Sequence, residues 1–182
     1  GEIHFAGALE NNEDTGTLQY LASTAMEAGF STRVLDMQAL DLQNGRFFDP
    51  AGELVNRCFK LYPWEWMVDE SPDGCLAEME WLEPIWKLVM SNKAILATLY
   101  ELFPDSPYVL PCYLSRPRSG LFCKKPVFSR EGHNVSVVDI RDWEEYVRIA
   151  ETEGDYNTGA YVYQEYVEPT AYSGRYPVIG SW

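Results

Sequence analysis

Histidine and cysteine are scarce in this 182-residue sequence, and their scarcity argues against several kinds of site. The only histidines are His4 and His133, and the four cysteines are scattered without a CxxC pair, so we expect no metal site within the chain. With so few histidines, no Ser–His or Cys–His arrangement with an orienting acid is visible, which argues against a hydrolase. The sequence has neither an apolar run long enough to span a bilayer nor a basic-then-apolar leader, so we expect no membrane partner.

The cysteines also bear on the cellular compartment. Four cysteines could form two disulfides, but Cys58 and Cys123 lie in apolar, β-like runs, where a reduced core cysteine is the commoner finding. The sequence therefore predicts a protein of the reducing cytoplasm.

Basic residues are outnumbered two to one, since 14 Lys and Arg face 28 Asp and Glu, for a net charge of −14. Nucleic acid requires an extended basic face, so we expect no nucleic-acid partner. Five of the bases nevertheless fall within one short stretch, at Arg116, Arg118, Lys124, Lys125 and Arg130. A local basic cluster in an acidic protein predicts a small anionic ligand.

The rest of the composition is typical of a folded protein. Hydrophobic residues make up 46% of the chain and charged residues 23%, which fits one large or two small globular domains.

The first 37 residues carry the pattern of a parallel β-α-β unit. A β run over residues 3–6 is followed by a helix that Asn11 or Asn12 can cap and Gly29 can end, and then by a β run over residues 32–37. Since the motif GxGxxG is absent, a plain tight turn is expected after the first strand rather than a nucleotide site.

The sequence pattern in the middle of the chain predicts a hairpin followed by helices. A type I turn at residues 49–52 leads into one strand over residues 55–62. Glu65 stands between Trp64 and Trp66, either as the solvent-facing residue of a helix whose tryptophans fill the core or as a carboxylate at a pocket wall. Helical spacing then begins at Leu76, and Lys93 is expected in the first turn of a further helix, where a cation opposes the helix dipole.

The last third alternates β runs and turns. We expect an edge strand over residues 108–113, a hairpin from residue 121 to 140, a helix that starts at Asp142 and runs through Trp143 to Ile149, and a strand over residues 161–167. A turn over residues 171–174 and a strand over residues 176–182 follow, and we expect that last strand to belong to a sheet whose next strand is missing.

The tip of this hairpin contains residues that could bind an anion. Lys124 and Lys125 precede the loop SREGHN of residues 129–134. A strand lysine and the backbone N–H groups of such a loop can close over an anion such as a triphosphate. The alternative is an ordinary solvated hairpin.

Five local strings, taken in order, resemble the glutathionylspermidine synthase family of ATP-grasp ligases, especially its shorter members without an amidase domain. They are FKLYPWEWM (59–67), EPIWKLVMSNKAIL (83–96), KKPVFSREGHNVS (124–136), YQEYVEP (163–169) and PVIGSW (177–182). The resemblance implies an α/β fold, with a preATP-grasp-like and substrate-side region over residues 1–112 and a partial, antiparallel ATP-grasp subdomain over residues 113–182. It also implies a reaction in which ATP activates a carboxylate as an acyl phosphate and an amine then forms the amide, with a small-molecule acid and amine, such as a peptide thiol and a polyamine, as partners.

The resemblance also implies roles for particular residues. Lys93 and Lys125 match the two lysines that bind the ATP phosphates, and Glu131 and Gly132 fall in the phosphate loop. The adenine and ribose strand matches Gln164, Glu165, Tyr166 and Val167. Glu65 falls in the string that lines the peptide or amine side of the cleft.

Parts of the family pattern have no counterpart in the chain. The carboxylates and asparagine that hold magnesium, and two substrate-side arginines, match no residue here, so no catalytic residue is assigned, and we expect the Mg²⁺ ligands outside this chain. Trp66 stands where glutathionylspermidine synthases carry threonine, which leaves the acid and the amine open. We therefore expect an inactive fragment of a ligase with weak ATP binding at most, the alternative being a non-catalytic nucleotide-binding or assembly module.

Overall fold

A computed structural model describes residues 1–142, 145–156 and 159–179 of the chain. The α/β class expected from the sequence is confirmed, with a parallel sheet in the first half and an antiparallel sheet in the second. The chain divides into two compact units, Gly1–Val89 and Met90–Trp182. The functional division after residue 112 stays a prediction.

The first unit is built on a four-stranded parallel sheet with strand order β2-β1-β6-β7. A second, three-stranded sheet has the order β3-β4-β5 and is antiparallel. The strands of this unit are β1 (Glu2–Gly7), β2 (Ser31–Asp36), β3 (Asp41–Gln43), β4 (Arg46–Phe48), β5 (Leu54–Val55), β6 (Arg57–Leu61) and β7 (Glu80–Leu82). The helices of the chain are α1 (Asn12–Glu27), α2 (Trp64–Glu70), α3 (Leu88–Ser91) and α4 (Ala94–Leu102), with 3₁₀ turns at Met37–Ala39, Gly74–Leu76 and Ile85–Lys87.

The β-α-β unit is confirmed. The Asn11 side chain caps α1 by accepting a hydrogen bond from the backbone N–H of Glu13 at 2.9 Å. Leu18 of α1 is fully buried in a cluster with Phe5 of β1, and Gly29 follows the helix with a φ of 89°. The bounds and the buried face of α1 are therefore determined by its own capping residue and by the spacing of its apolar residues.

Two expectations for the first unit are wrong. The single strand expected over residues 55–62 divides into β5, which pairs with β4, and β6, which joins the parallel sheet. Within the helical pattern expected from Leu76, Glu80–Leu82 form the strand β7 instead, because burial of Trp81 against Phe47 and Trp64, with ring centres 5.6 and 5.4 Å apart, prevails over local helical spacing. After Pro84 the expected pattern is helical, in the 3₁₀ turn Ile85–Lys87 and in α3.

The second unit is a five-stranded antiparallel sheet with strand order β11-β10-β9-β12-β8. Its strands are β8 (Cys112–Tyr113), β9 (Gly120–Pro126), β10 (Ser136–Ile140), β11 (Tyr146–Glu151) and β12 (Tyr161–Glu165). The expected edge strand is present as β8, although it is shorter than residues 108–113. Helix α4 covers one face of this sheet, where Ala97 packs with Cys112, Val127 and Val162.

The helix expected from Asp142 to Ile149 is wrong. The Asp142 carboxylate accepts a hydrogen bond from the N–H of Glu145 at 2.8 Å, and the chain turns back as β11, antiparallel to β10. An acidic residue that favours a helix start can equally close a turn, and the partner strand decides between the two. Trp143 lies outside the described residues.

At the end of the chain the turn over residues 171–174 is confirmed, since Tyr172 and Arg175 exchange backbone hydrogen bonds of 2.8 and 3.0 Å. The strand expected over residues 176–182 is absent from residues 176–179, and residues 180–182 lie outside the described part.

All four cysteines are free, and Cys58 is buried in the core as expected. Within the described ranges, the helices are too short or too polar to cross a membrane.

Candidate functional site

Lys124 and Lys125 are adjacent in β9, so their side chains point to opposite faces of the sheet. Lys125 pairs across the strands with Val162, whereas Lys124 pairs with Tyr163. Val162 belongs to the cluster under α4. Lys125 therefore lies on the face that α4 covers.

Lys125 is held by Gln164, one of the residues expected to share its site. The Lys125 Nζ donates a hydrogen bond to the Gln164 Oε1 at 2.6 Å. Burial raises the pKa of the Cys112 and Cys123 thiols, and the positive charge of Lys125 opposes that rise in both. The ammonium group thus lies near both thiols and is held by a neutral amide.

Lys93 occupies the N-cap position of α4, not the first turn as expected. Its Nζ donates to the backbone oxygen of Ser129 and, at 2.8 Å, to the Ser129 hydroxyl. Its own backbone N–H donates to the Val127 carbonyl at 2.9 Å. Because Val127 follows Lys125 by two residues, both lysines are fixed to the same end of β9 and the loop after it.

The loop of residues 129–134 makes a tight turn at its tip. Glu131 and Gly132 have φ angles of 53° and 74°, and the N–H of His133 donates to the Arg130 carbonyl at 2.9 Å, as in a type I′ turn. Glu131 and Gly132 are exposed. This is the segment expected to contact phosphate.

The same loop is anchored from behind by residues 152–156. The Asn134 side chain donates to the Gly154 carbonyl at 2.9 Å and accepts from the Tyr156 N–H at 2.7 Å. Thr152 donates its hydroxyl hydrogen to the Gly132 carbonyl. The loop is thereby held at its tip and at its end.

The segment from Gln164 to Val167 is only half strand, since β12 ends at Glu165 rather than at residue 167. The N–H of Glu165 donates to the Pro111 carbonyl at 2.8 Å, and that of Tyr166 to the Leu121 carbonyl at 3.0 Å. Val167 follows them and is exposed. The backbone N–H groups of Glu165 and Tyr166 therefore already have hydrogen-bond acceptors within the protein.

Glu65 lies in the first unit, within α2. Its two carboxylate oxygens are shielded from solvent, so the interpretation in which Glu65 faces water is wrong. Trp64 is buried as expected, but Trp66 is 40% exposed, so only one of the two tryptophans fills the core.

Lys60, beside this helix, is a residue whose environment sequence reasoning missed. Its side chain is only 5% exposed, its Nζ donates to the Tyr62 carbonyl at 2.7 Å, and it lies 4.0 Å from the centre of the Trp64 ring. Burial lowers the pKa of Lys60 to about 8, against the opposing effects of Glu83 and Glu65. The available signal was the alternation of β6, which places Lys60 on the same side as buried Cys58.

The arrangement of donor side chains bears on whether the chain could hold a metal ion. Across residues 1–142, 145–156 and 159–179, no group of three or more His, Cys, Asp or Glu side chains could hold a metal ion. The described residues therefore supply no cluster of three ligands for Mg²⁺, and no chemical step is assigned to magnesium.

Comparison with known proteins places this geometry in context. The family described as "Glutathionylspermidine synthase preATP-grasp" matches residues 1–182. The chain is 34% identical over 179 residues to a Haemophilus influenzae protein named "Putative acid–amine ligase", covering 93% of this chain and 46% of that protein.

Two further relatives are named as synthetases. Trypanothione synthetase of Crithidia fasciculata is 26% identical, covering 100% of this chain and 32% of the enzyme. The bifunctional glutathionylspermidine synthetase/amidase of Escherichia coli is 28% identical, covering 69% of this chain and 25% of the enzyme. The chain thus spans less than half the length of each of these relatives.

Proposed function

Because the chain belongs to the glutathionylspermidine synthase family, we propose that the intact protein is an ATP-dependent carboxylate–amine ligase. In this reaction the carboxylate takes the terminal phosphoryl group of ATP, ADP leaves, and the amine displaces phosphate from the acyl phosphate to form the amide. The names of three relatives, an acid–amine ligase and two synthetases, support a ligase of this kind. The acid and the amine are small molecules, with a thiol peptide and a polyamine as the first pair to test.

The observation that carries the proposal is the anchoring of Lys93 and Lys125 to one end of β9. In our account both ammonium groups contact the triphosphate, where they stabilise the negative charge that develops on the transferring phosphoryl group. The hydrogen-bond partners described above, Ser129 and Gln164, hold the two side chains in place for this task. The exposed turn at Glu131 and Gly132 supplies backbone N–H groups to the same phosphates.

Adenine and ribose are assigned to the segment from Gln164 to Val167. Since the N–H groups of Glu165 and Tyr166 already bond to Pro111 and Leu121, we assign the adenine contacts to carbonyl groups of this segment and to the N–H of Val167. The Gln164 side chain then has a second role, because it also positions Lys125.

Glu65 is assigned to the amine or peptide side of the reaction. A carboxylate shielded from solvent attracts a cation more strongly than an exposed one does, which suits recognition of an amine substrate. The Mg²⁺ that accompanies ATP is assigned to ligands outside this chain. Accordingly we propose that the chain alone binds ATP weakly and completes no ligation.

ATP binding by this chain provides the first test. We expect Lys125→Gln and Lys93→Gln each to weaken ATP binding by about tenfold, the loss of one charge-assisted contact, as measured by NMR titration. Lys124→Gln, which removes the neighbouring charge on the other face of the sheet, is the matched control and is expected to leave ATP binding unchanged. Equal losses in all three variants would show that ATP responds only to the total charge.

A single-turnover measurement tests the proposed inactivity of the chain. With ATP, Mg²⁺, a thiol peptide and a polyamine, we expect no ADP above the background without protein. ADP formed at a rate that depends on both acid and amine would show that the metal ligands lie within these residues after all.

A further inference from the structure

The face of the antiparallel sheet opposite Lys125 contains a second group of cations and aromatic rings. A cavity of about 80 Å³ opens there, entirely within the second unit. We call it the Lys124 pocket, and it is lined by Arg116, Lys124, Val138, Ile140, Tyr146 and Tyr163. Val138 and Ile140 are buried, so apolar side chains form its floor.

Arg116 brings a shielded hydrogen-bond donor to the residues that line this pocket. One terminal nitrogen donates to the Asp142 carbonyl at 2.9 Å, and the guanidinium carbon lies 5.1 Å from the centre of the Tyr146 ring. The Nε of Arg116 is shielded from solvent and has no hydrogen-bond partner among the described residues. A shielded N–H without an acceptor costs free energy. The guanidinium that carries it lines the pocket, so its positive charge lies beside any anion bound there.

Lys124 brings a second positive charge to the same pocket. Its Nζ lies 4.0 Å from the centre of the Tyr161 ring, and within the described ranges it forms no ion pair with a carboxylate. The acidic residue of β12 on this face, Glu165, pairs across the strands with Phe122 rather than with Lys124. Neither Arg116 nor Lys124 thus has a carboxylate partner among the described residues, in a chain of net charge −14.

We propose that the Lys124 pocket binds a small oxyanion, the carboxylate or phosphate group of a metabolite. Its volume corresponds to roughly two or three water molecules at about 30 Å³ each, well below the roughly 300 Å³ of a pocket for a drug-sized ligand. A guanidinium, an ammonium and tyrosine hydroxyls are all donors, which suits an anion with several acceptor oxygens. This pocket is separate from the site proposed for ATP, because Lys124 and Lys125 point to opposite faces of the sheet.

The Nε–H group of Arg116 gives a local readout for the test. In a ¹⁵N-labelled sample of the whole chain, its signal is assigned by its loss in Arg116→Lys, and it is followed while inorganic phosphate or acetate is added. We expect a saturable shift with at least one of the two anions. Lys124→Gln should weaken that binding by about tenfold, while Lys125→Gln, the matched change on the other face, should leave it unchanged.

The outcomes separate the two sites. A shift with phosphate alone assigns the pocket to phosphate groups, and a shift with acetate alone assigns it to carboxylates. No saturable shift with either anion, or an equal loss of binding in Lys124→Gln and Lys125→Gln, would overturn the proposal. ATP binding that depends on Lys125 but not on Lys124 would remain valid in either case, so this test does not decide the ligase proposal.

Discussion

At the scale of single residues, position within a strand decides what each lysine can do. Lys125 faces the helix-covered side of its sheet with Gln164, whereas Lys124 faces the opposite side with Tyr161. One step along β9 thus separates a lysine proposed to contact ATP from one proposed to bind another anion. Composition and spacing offer two adjacent lysines, of which the resemblance selects Lys125, and the pairing of β9 with β12 shows that the two lie on different faces.

Lys60 shows what burial does to a lysine without a carboxylate in hydrogen-bond contact. Its pKa is lowered to about 8 in the folded protein, chiefly by desolvation, from an ordinary value of 10.5. The folded state therefore binds this proton less tightly than the unfolded state does. Between about pH 8 and pH 10.5 the unfolded chain holds more protons at this residue, so its contribution to stability rises with pH across that window.

We predict that the stability difference between wild type and Lys60→Met grows with pH. Chemical denaturation should show the unfolding free energy of the wild type, minus that of the variant, increasing by about 2 to 3 kcal/mol from pH 7 to pH 10.5. Groups common to both proteins cancel in this difference. A difference that is constant or falls over this range would mean that Lys60 is not held in a desolvating site.

At the scale of elements, the hairpin loop after β9 depends on a segment distant in sequence. Asn134 and Gly132 bond to residues 152–156, so the loop proposed to contact phosphate is fixed by the segment that follows β11. The turn at Glu131 and Gly132 is local, whereas the position of the loop is fixed by these contacts with a distant segment.

Gly154 is the position where this anchoring is most sensitive to substitution. A Cβ added there would lie 2.5 Å from the Cβ of His133 and 2.8 Å from the Oδ1 of Asn134, so the loop would have to shift. We predict that Gly154→Ala lowers the unfolding free energy by about 1 to 3 kcal/mol, the usual cost of overpacking. The exposed neighbour provides the control, since Glu153→Ala should change it by less than about 0.5 kcal/mol. Equal stability of the two variants in urea would show that the loop is not packed as described.

The cap of α1 gives a second prediction at this scale. Asn11→Ala removes the side-chain acceptor for the N–H of Glu13 and should lower the unfolding free energy by about 1 kcal/mol. Asn12→Ala, one residue later and inside the helix, should be neutral or slightly stabilising, because alanine favours a helix interior. Urea denaturation that ranks the two variants in the opposite order would place the cap at Asn12.

The elements that could be predicted from the sequence are those whose start, end or turn is determined by residues within the element itself. The first helix carries its own cap and its own stop glycine, and the main hairpin carries its own turn. The strands β7 and β11 could not be predicted in this way, because Trp81 is buried by residues distant in sequence and β11 is defined by its pairing with β10. For the candidate site, the resemblance identified Lys93 and Lys125, but their partners Ser129 and Gln164 depend on strand pairing and loop position.

At the scale of the whole molecule, an acidic chain has two proposed anion sites, and both lie in its second unit. The net charge of −14 repels anions from the surface in general, so anion binding has to be local and short-ranged. Lys125 and the Lys124 pocket both meet this requirement within the second unit. Since the chain spans less than half the length of the three relatives compared with it, we assign the complete reaction to the intact protein as part of our proposal.

The most direct measurement is ADP formation by the intact protein in the presence of ATP, Mg²⁺, a thiol peptide and a polyamine. The ligase account predicts ADP release that requires both acid and amine, a decrease of about 100-fold or more in Lys125→Gln, and little change in Lys124→Gln. ADP release that is independent of acid and amine, or that falls equally in the two variants, would contradict it.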